Sequence, residues 1–94
     1  MIYSYRDKRT KDFADGKRVR EFENIRRQAE RRLDILDAAT SLADLQALPS
    51  NALEGLKSNR KGQFSIRINL QWRICFDWPD GQSGPSNVEI VDYH

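Results

Sequence analysis

Val19, Phe22, Ile25, Ala29, Leu33 and Leu36 are separated by 3, 3, 4, 4 and 3 positions. That period keeps them on one face of a helix. Arg20, Arg26, Arg27, Glu30, Arg31 and Asp34 fill other positions of the segment. The spacing predicts an amphipathic helix over 18–38 whose apolar stripe packs on a sheet. Upstream, Ile2, Tyr3 and Tyr5 make a short β-prone start, and 6–17 is charged with Phe13 as its main apolar anchor. Downstream, Ser41 with Asp44 three residues later reads as the N-cap of a short helix over 42–47. Pro49 stops it.

From Leu53 onward the period changes to two. Phe64, Ile66 and Ile68 alternate with Ser65 and Arg67, and Trp72, Ile74, Phe76 and Trp78 alternate with Arg73, Cys75 and Asp77. Cross-strand partners share a sheet face, so the loop of this hairpin must hold an odd number of residues. A two-residue loop at Asn69-Leu70 would pair Ile66 with Arg73 and mix the faces. A three-residue loop, Asn69 to Gln71, pairs Ile68 with Trp72, Ile66 with Ile74 and Arg67 with Arg73. Arg67 and Arg73 are then neighbours on the non-core face. Residues 80–86 form a Gly- and Pro-containing turn. Residues 87–93 form a last strand, apolar on both sides at Val88, Ile90 and Val91, as an interior strand would be. The class is α+β, and 94 residues make a single domain, 1–94.

Net charge is only +2, but it is unevenly spread. Residues 55–76 carry Lys57, Arg60, Lys61, Arg67 and Arg73 with no acid among them. Clustered positive charge of this kind attracts polyanions. One cysteine, Cys75, allows no internal disulfide and reads as a small buried thiol. Residues 1–18 lack the apolar stretch of a signal peptide, and no run approaches the roughly 20 residues of a membrane span. A cytoplasmic setting fits, with no membrane contact.

With His94 and Cys75 as the only residues of their kinds, no metal set is available, and no cofactor motif is present. What remains is Lys57, Arg60, Lys61, Arg67 and Arg73, with Asp92, Tyr93 and His94 at the end. Such a set suits RNA cleavage by the 2′-hydroxyl attacking the adjacent phosphate. Guanidinium groups stabilise the phosphorane oxygens, and histidine, tyrosine or a lysine of lowered pKa exchanges protons. Each residue also has a plainer reading. The arginines and lysines are solvated surface, Tyr93 packs at the core edge, His94 is a tail, and Trp72 and Trp78 belong to the core. The Arg-rich helix is a solvated face or a contact for ribosomal RNA.

Residues 36–45, the run Asn51-Ala52-Leu53-Glu54-Gly55-Leu56-Lys57, residues Ser65 through Phe76 and the ending Val88-Glu89-Ile90-Val91-Asp92-Tyr93-His94 together resemble the HigB toxins of the RelE/ParE superfamily. The resemblance spans nearly the whole chain and is loosest in the N-terminal third. It implies a microbial-RNase-like, RelE-like fold with N-terminal helices packed on a twisted antiparallel sheet. It implies the toxin of a type II toxin–antitoxin system that cuts mRNA in the ribosomal A site without a metal. The implied partners are the ribosome with its mRNA and a HigA-like helix-turn-helix antitoxin, with operator DNA reached only through that antitoxin. Carried over by position, Lys57, Arg73, Asp92, Tyr93 and His94 are catalytic, and Glu54, Arg60, Lys61 and Arg67 contact RNA. One departure stands out: Glu54 occupies the place of an active-site histidine in some relatives. ParE-like members share the fold and poison gyrase, so a non-catalytic gyrase poison or an antitoxin-dependent co-repressor is the rival reading.

Overall fold

A computed structural model describes residues 1–56 and 62–92. Lys57, Arg60, Lys61, Tyr93 and His94 lie outside the described residues. Helix α1 spans Lys8–Ala14, α2 spans Arg26–Ala38 and α3 spans Leu42–Gln46. The strands are β1 (Glu54–Gly55), β2 (Gln63–Arg67), β3 (Trp72–Asp77) and β4 (Ser86–Asp92). They form one sheet in the order β1-β2-β3-β4, with every neighbouring pair antiparallel.

The helix expected over 18–38 is two helices in series. Residues Arg20–Ile25 form a 3₁₀ helix, and α2 follows from Arg26. The sequence spacing carries this division. Val19, Phe22 and Ile25 recur every three residues, the period of a 3₁₀ turn. From Ile25 the steps of 4, 4 and 3 are α-helical. Both parts bury the same stripe, so the change of helix type leaves the face intact. Helix α1, in the segment read only as charged, starts at Asp7, whose side chain accepts from the Thr10 N–H at 3.0 Å. Helix α3 follows the expected cap, with Ser41 Oγ accepting from the Asp44 N–H at 3.2 Å. Pro49 does end that helical stretch, and it also opens a 3₁₀ turn, Pro49–Asn51.

The core lies between the helices and one face of the sheet. Phe13, Phe22, Leu33 and Leu36 meet Ile66, Ile74, Phe76, Val88 and Ile90 there. Phe22 stands edge-on to Phe13 at 5.4 Å and to Trp72 at 5.7 Å, a favoured aromatic geometry. Trp78, beyond the end of β3, is buried and donates its ring N–H to the Gln82 carbonyl at 2.8 Å.

The hairpin has the expected register, with Ile66 opposite Ile74 and Arg67 opposite Arg73. Asn69 shapes its loop. Its Oδ1 accepts from the Gln71 and Trp72 N–H groups at 2.8 and 2.9 Å, an Asx turn that stands in for backbone bonds. Strand β4 ends the four-stranded ladder, yet its outer side is not bare. The Tyr3 and Arg6 N–H groups donate to the Pro85 and Val88 carbonyls, Val88 N–H donates to Ser4, and Tyr5 forms a parallel bridge with Val88. The interior position expected for β4 is not met within the ladder, where β4 is last, and the N-terminal segment instead supplies its outer neighbour. Val88 and Ile90 are buried on the helix side, and Val91 lies opposite Arg73 on the other face. Between Cys75 and Asp77 the β3–β4 register slips by one residue, and Asn87 there takes a left-handed φ of 52°, which asparagine tolerates. Among the described residues no helix is long and apolar enough to cross a membrane.

Candidate active site around Arg73

Gln63, Ser65 and Arg67 of β2 face Asp77, Cys75 and Arg73 of β3 on the side of the sheet away from the helices. Sequence alternation marks this as the polar face. It is nonetheless largely buried in the middle: Ser65, Cys75 and Arg73 are 0%, 2% and 7% exposed. Arg67, opposite Arg73, is exposed.

A buried guanidinium requires partners for its donors, and Arg73 has them. Its Nε donates to Ser65 Oγ at 2.8 Å, and its Nη2 donates to the Ser65 carbonyl at 3.3 Å and to the Ala52 carbonyl. Ala52 closes the Pro49–Asn51 turn in a left-handed conformation, φ 45° and ψ 52°. That conformation costs an L-residue roughly 1–2 kcal/mol. The turn is held from behind by Asn51, fully buried, whose Nδ2 donates to the Leu45 carbonyl at 3.0 Å and whose Oδ1 accepts from Arg32 at 2.8 Å. Helix α2, the 3₁₀ turn and β2 therefore all fix where Arg73 sits.

Glu54 lies beside it. Its Oε1 is 3.3 Å from Arg73 Nη1, and the two side chains are 55% and 8% exposed. Strand β1 places it there, since Glu54 pairs with Ser65 across the β1–β2 ladder. The positive block at 55–76 is thus not uncompensated: an acid one residue outside it pairs with Arg73. Among the described residues Arg67 has no ion pair.

Of the predicted site residues, the structure brings Glu54, Arg67 and Arg73 together. Asp92 sits opposite Trp72, one step from the Arg73–Val91 pair. Successive residues face opposite sides of a sheet, so its side chain belongs to the other face, where it accepts from Gln71 Nε2 at 3.2 Å. Lys57, Arg60, Lys61, Tyr93 and His94 are outside the described residues. Ser65 and Ala52 escaped sequence reasoning as site residues. A signal for Ser65 existed: the inferred register puts it diagonal to Arg73.

A cavity of about 340 Å³ opens elsewhere, in the helical layer, lined by Tyr5, Phe13, Leu33 and the acids Glu30, Asp34 and Asp37 among others. It holds none of the predicted site residues. Among the described residues no three histidine, cysteine, aspartate or glutamate side chains converge as a metal site.

The Arg73 arrangement is a fixed cation beside an exposed one at a sheet surface, suited to an anionic ligand. Comparisons with known proteins bear on which. The chain is 42% identical over 83 residues to the toxin HigB-1 of Vibrio cholerae, covering 86% of this chain and 87% of that protein. It is 36% identical over 63 residues to the endoribonuclease HigB of Proteus vulgaris, covering 67% and 65%. In structure it resembles a YoeB/ParE toxin from Agrobacterium tumefaciens, with a TM-score of 0.54 over 99% of this chain and 97% of that one, at 17% identity. That likeness establishes the RelE-like α+β fold. Residues 3–94 match the model of the HigB-like toxins, described as the RelE-like toxin of the type II toxin–antitoxin system HigB, and the chain belongs to that family.

Proposed function

We propose that this toxin is an endoribonuclease that cuts mRNA on the ribosome, by attack of the 2′-hydroxyl on the adjacent phosphate without a metal ion. The observation that carries the reading is the guanidinium of Arg73, held by Ser65 and Ala52 beside the exposed Arg67. A preorganised cation stabilises charge that develops on the phosphorane and needs no reorganisation to do so. The endoribonuclease named among the relatives supports it.

In this mechanism Arg73 and Lys57 hold the scissile phosphate and stabilise its extra charge. Tyr93 and His94 exchange the two protons, taking one from the 2′-hydroxyl and giving one to the leaving 5′-oxygen, while Asp92, bonded to Gln71 on the other face, anchors the strand that leads into them. Arg60, Lys61 and Arg67 contact the RNA backbone, and Glu54 borders the phosphate site. The chain 1–94 acts as one cytoplasmic domain. Type II systems pair each toxin with an antitoxin, and we assign here a HigA-like helix-turn-helix protein that reaches operator DNA on the toxin's behalf.

The test is mRNA cleavage on purified ribosomes against free mRNA, each with and without a chelator. Cleavage that needs the ribosome and survives chelation is expected. Intact mRNA together with DNA damage in expressing cells would instead establish the gyrase-poison reading.

A further inference from the structure

An arginine grips a phosphate most firmly through two parallel N–H bonds from one edge of its fork. In Arg73 the Nε–Nη2 edge is already committed inward. Ser65 Oγ takes Nε at 2.8 Å, and the Ser65 and Ala52 carbonyls take Nη2. These acceptors are neutral and belong to the sheet and the turn, so they fix the group without cancelling its charge. The charge is balanced from Nη1, where Glu54 Oε1 lies 3.3 Å away.

The two members of this pair differ in mobility of exchange. Arg73 is tied at three points and 8% exposed in its side chain, whereas the Glu54 side chain is 55% exposed. An anion arriving from solvent therefore meets Glu54 already on the Nη1 side of Arg73. Two anions a few ångströms apart repel each other strongly at such a surface. Arg67, across the ladder and exposed, supplies a second cation that Glu54 does not neutralise.

We propose that Glu54 is a displaceable counter-anion: it neutralises Arg73 in the free toxin and yields Nη1 to a phosphodiester group of RNA. The proposal rests on the RNA-cleaving reading above. In this role Glu54 opposes substrate binding and moves no proton.

The experiment measures binding of a fluorescent 2′-O-methyl RNA, which lacks the nucleophile, to the wild-type toxin and to Glu54→Gln. The amide keeps the shape and removes the charge. Glu54→Gln is expected to bind about two- to fivefold tighter at low salt, the scale of a partly exposed charge pair, with the gain narrowing as salt rises. Equal or weaker binding overturns the proposal. So does a fall of about a hundredfold in single-turnover cleavage on ribosomes, which is the signature of a proton-transfer group. Should the variant not fold, the ¹³C shift of the Glu54 carboxylate in wild-type toxin reads the same event. It moves when the RNA is added, or the proposal fails. A wild-type toxin that neither binds nor cuts RNA defeats the RNA-cleaving reading itself. A wild-type toxin that cuts RNA, with Glu54→Gln affinity unchanged, defeats only the counter-anion.

Discussion

Arg73 reaches diagonally across the β2–β3 ladder to Ser65, whose hydroxyl and carbonyl both accept from its guanidinium. Ser65 is fully buried, so water does not replace the hydroxyl if it is lost. Ser65→Ala is expected to lower stability by about 1–3 kcal/mol, the cost of stranding a buried donor. Urea denaturation checks this, with a reduced midpoint and an unchanged slope.

Arg73→Lys keeps the charge but not the planar fork that meets Ser65 and Ala52 together. Cleavage on ribosomes is expected to fall about 10²–10³-fold, as when a preorganised charge-stabilising group is removed. A variant that folds and still arrests growth as the wild type does would remove Arg73 from the mechanism.

Thr10 ties α1 to the sheet. Its hydroxyl, fully buried, accepts from the Ile90 N–H at 3.1 Å. Thr10→Val preserves the shape and leaves that N–H without an acceptor, so about 1–3 kcal/mol of stability should be lost. Hydrogen exchange at Ile90 should accelerate in the same variant, and an unchanged rate there would argue against the bond.

Asp44 gives the fold a pH dependence. The Thr40 N–H and hydroxyl both donate to its Oδ2, at 2.9 and 3.0 Å. These bonds, the backbone one foremost, hold its carboxyl below the usual value of 3.8. A carboxylate lowered on folding stabilises the native state above its unfolded pKa, and that contribution is lost as pH falls through the folded value. Wild type should therefore exceed Asp44→Asn in thermal stability at neutral pH. The margin should begin to shrink as pH falls towards 3.8 and be lost below the lower, folded value, with no change on the alkaline side of neutrality.

Much of the fold was legible because its periods are clean. The alternation of Phe64, Ile66 and Ile68 against Trp72, Ile74 and Phe76 fixed the hairpin register through face matching alone, and the structure has that register. The apolar stripe of Val19 to Leu36 named the right buried face. It was read as one helix because a few 3₁₀ turns and an α-helix differ by less than one residue per turn. Helix α1 was missed because only Thr10 and Phe13 of its seven residues are buried, too few to show a period. In the site, residue types pointed to Arg67 and Arg73. The acid that balances Arg73, Glu54, stands just outside the positive run 55–76 and far from Arg73 in sequence, and the Ala52 carbonyl, a backbone group, leaves no mark in a composition. Alternation places Arg73 on the polar face but does not report how deeply that face is covered, so its burial is not legible in the sequence.

The N-terminal cover of β4 has a consequence for the order of assembly. Strands β2, β3 and β4 are consecutive neighbours and need only short loops to meet. The contacts of Ser4 with Asn87, Tyr5 with Val88 and Thr10 with Ile90 join residues 80 or more apart. Closing a loop of that length costs more entropy than closing a hairpin, and it gains little until the meander offers β4 as a template. Loop-closure entropy therefore favours an order in which the meander forms before the N-terminal segment closes onto it, and these contacts of the closing step are made to β4 and not to the β2–β3 pair that carries Arg67 and Arg73.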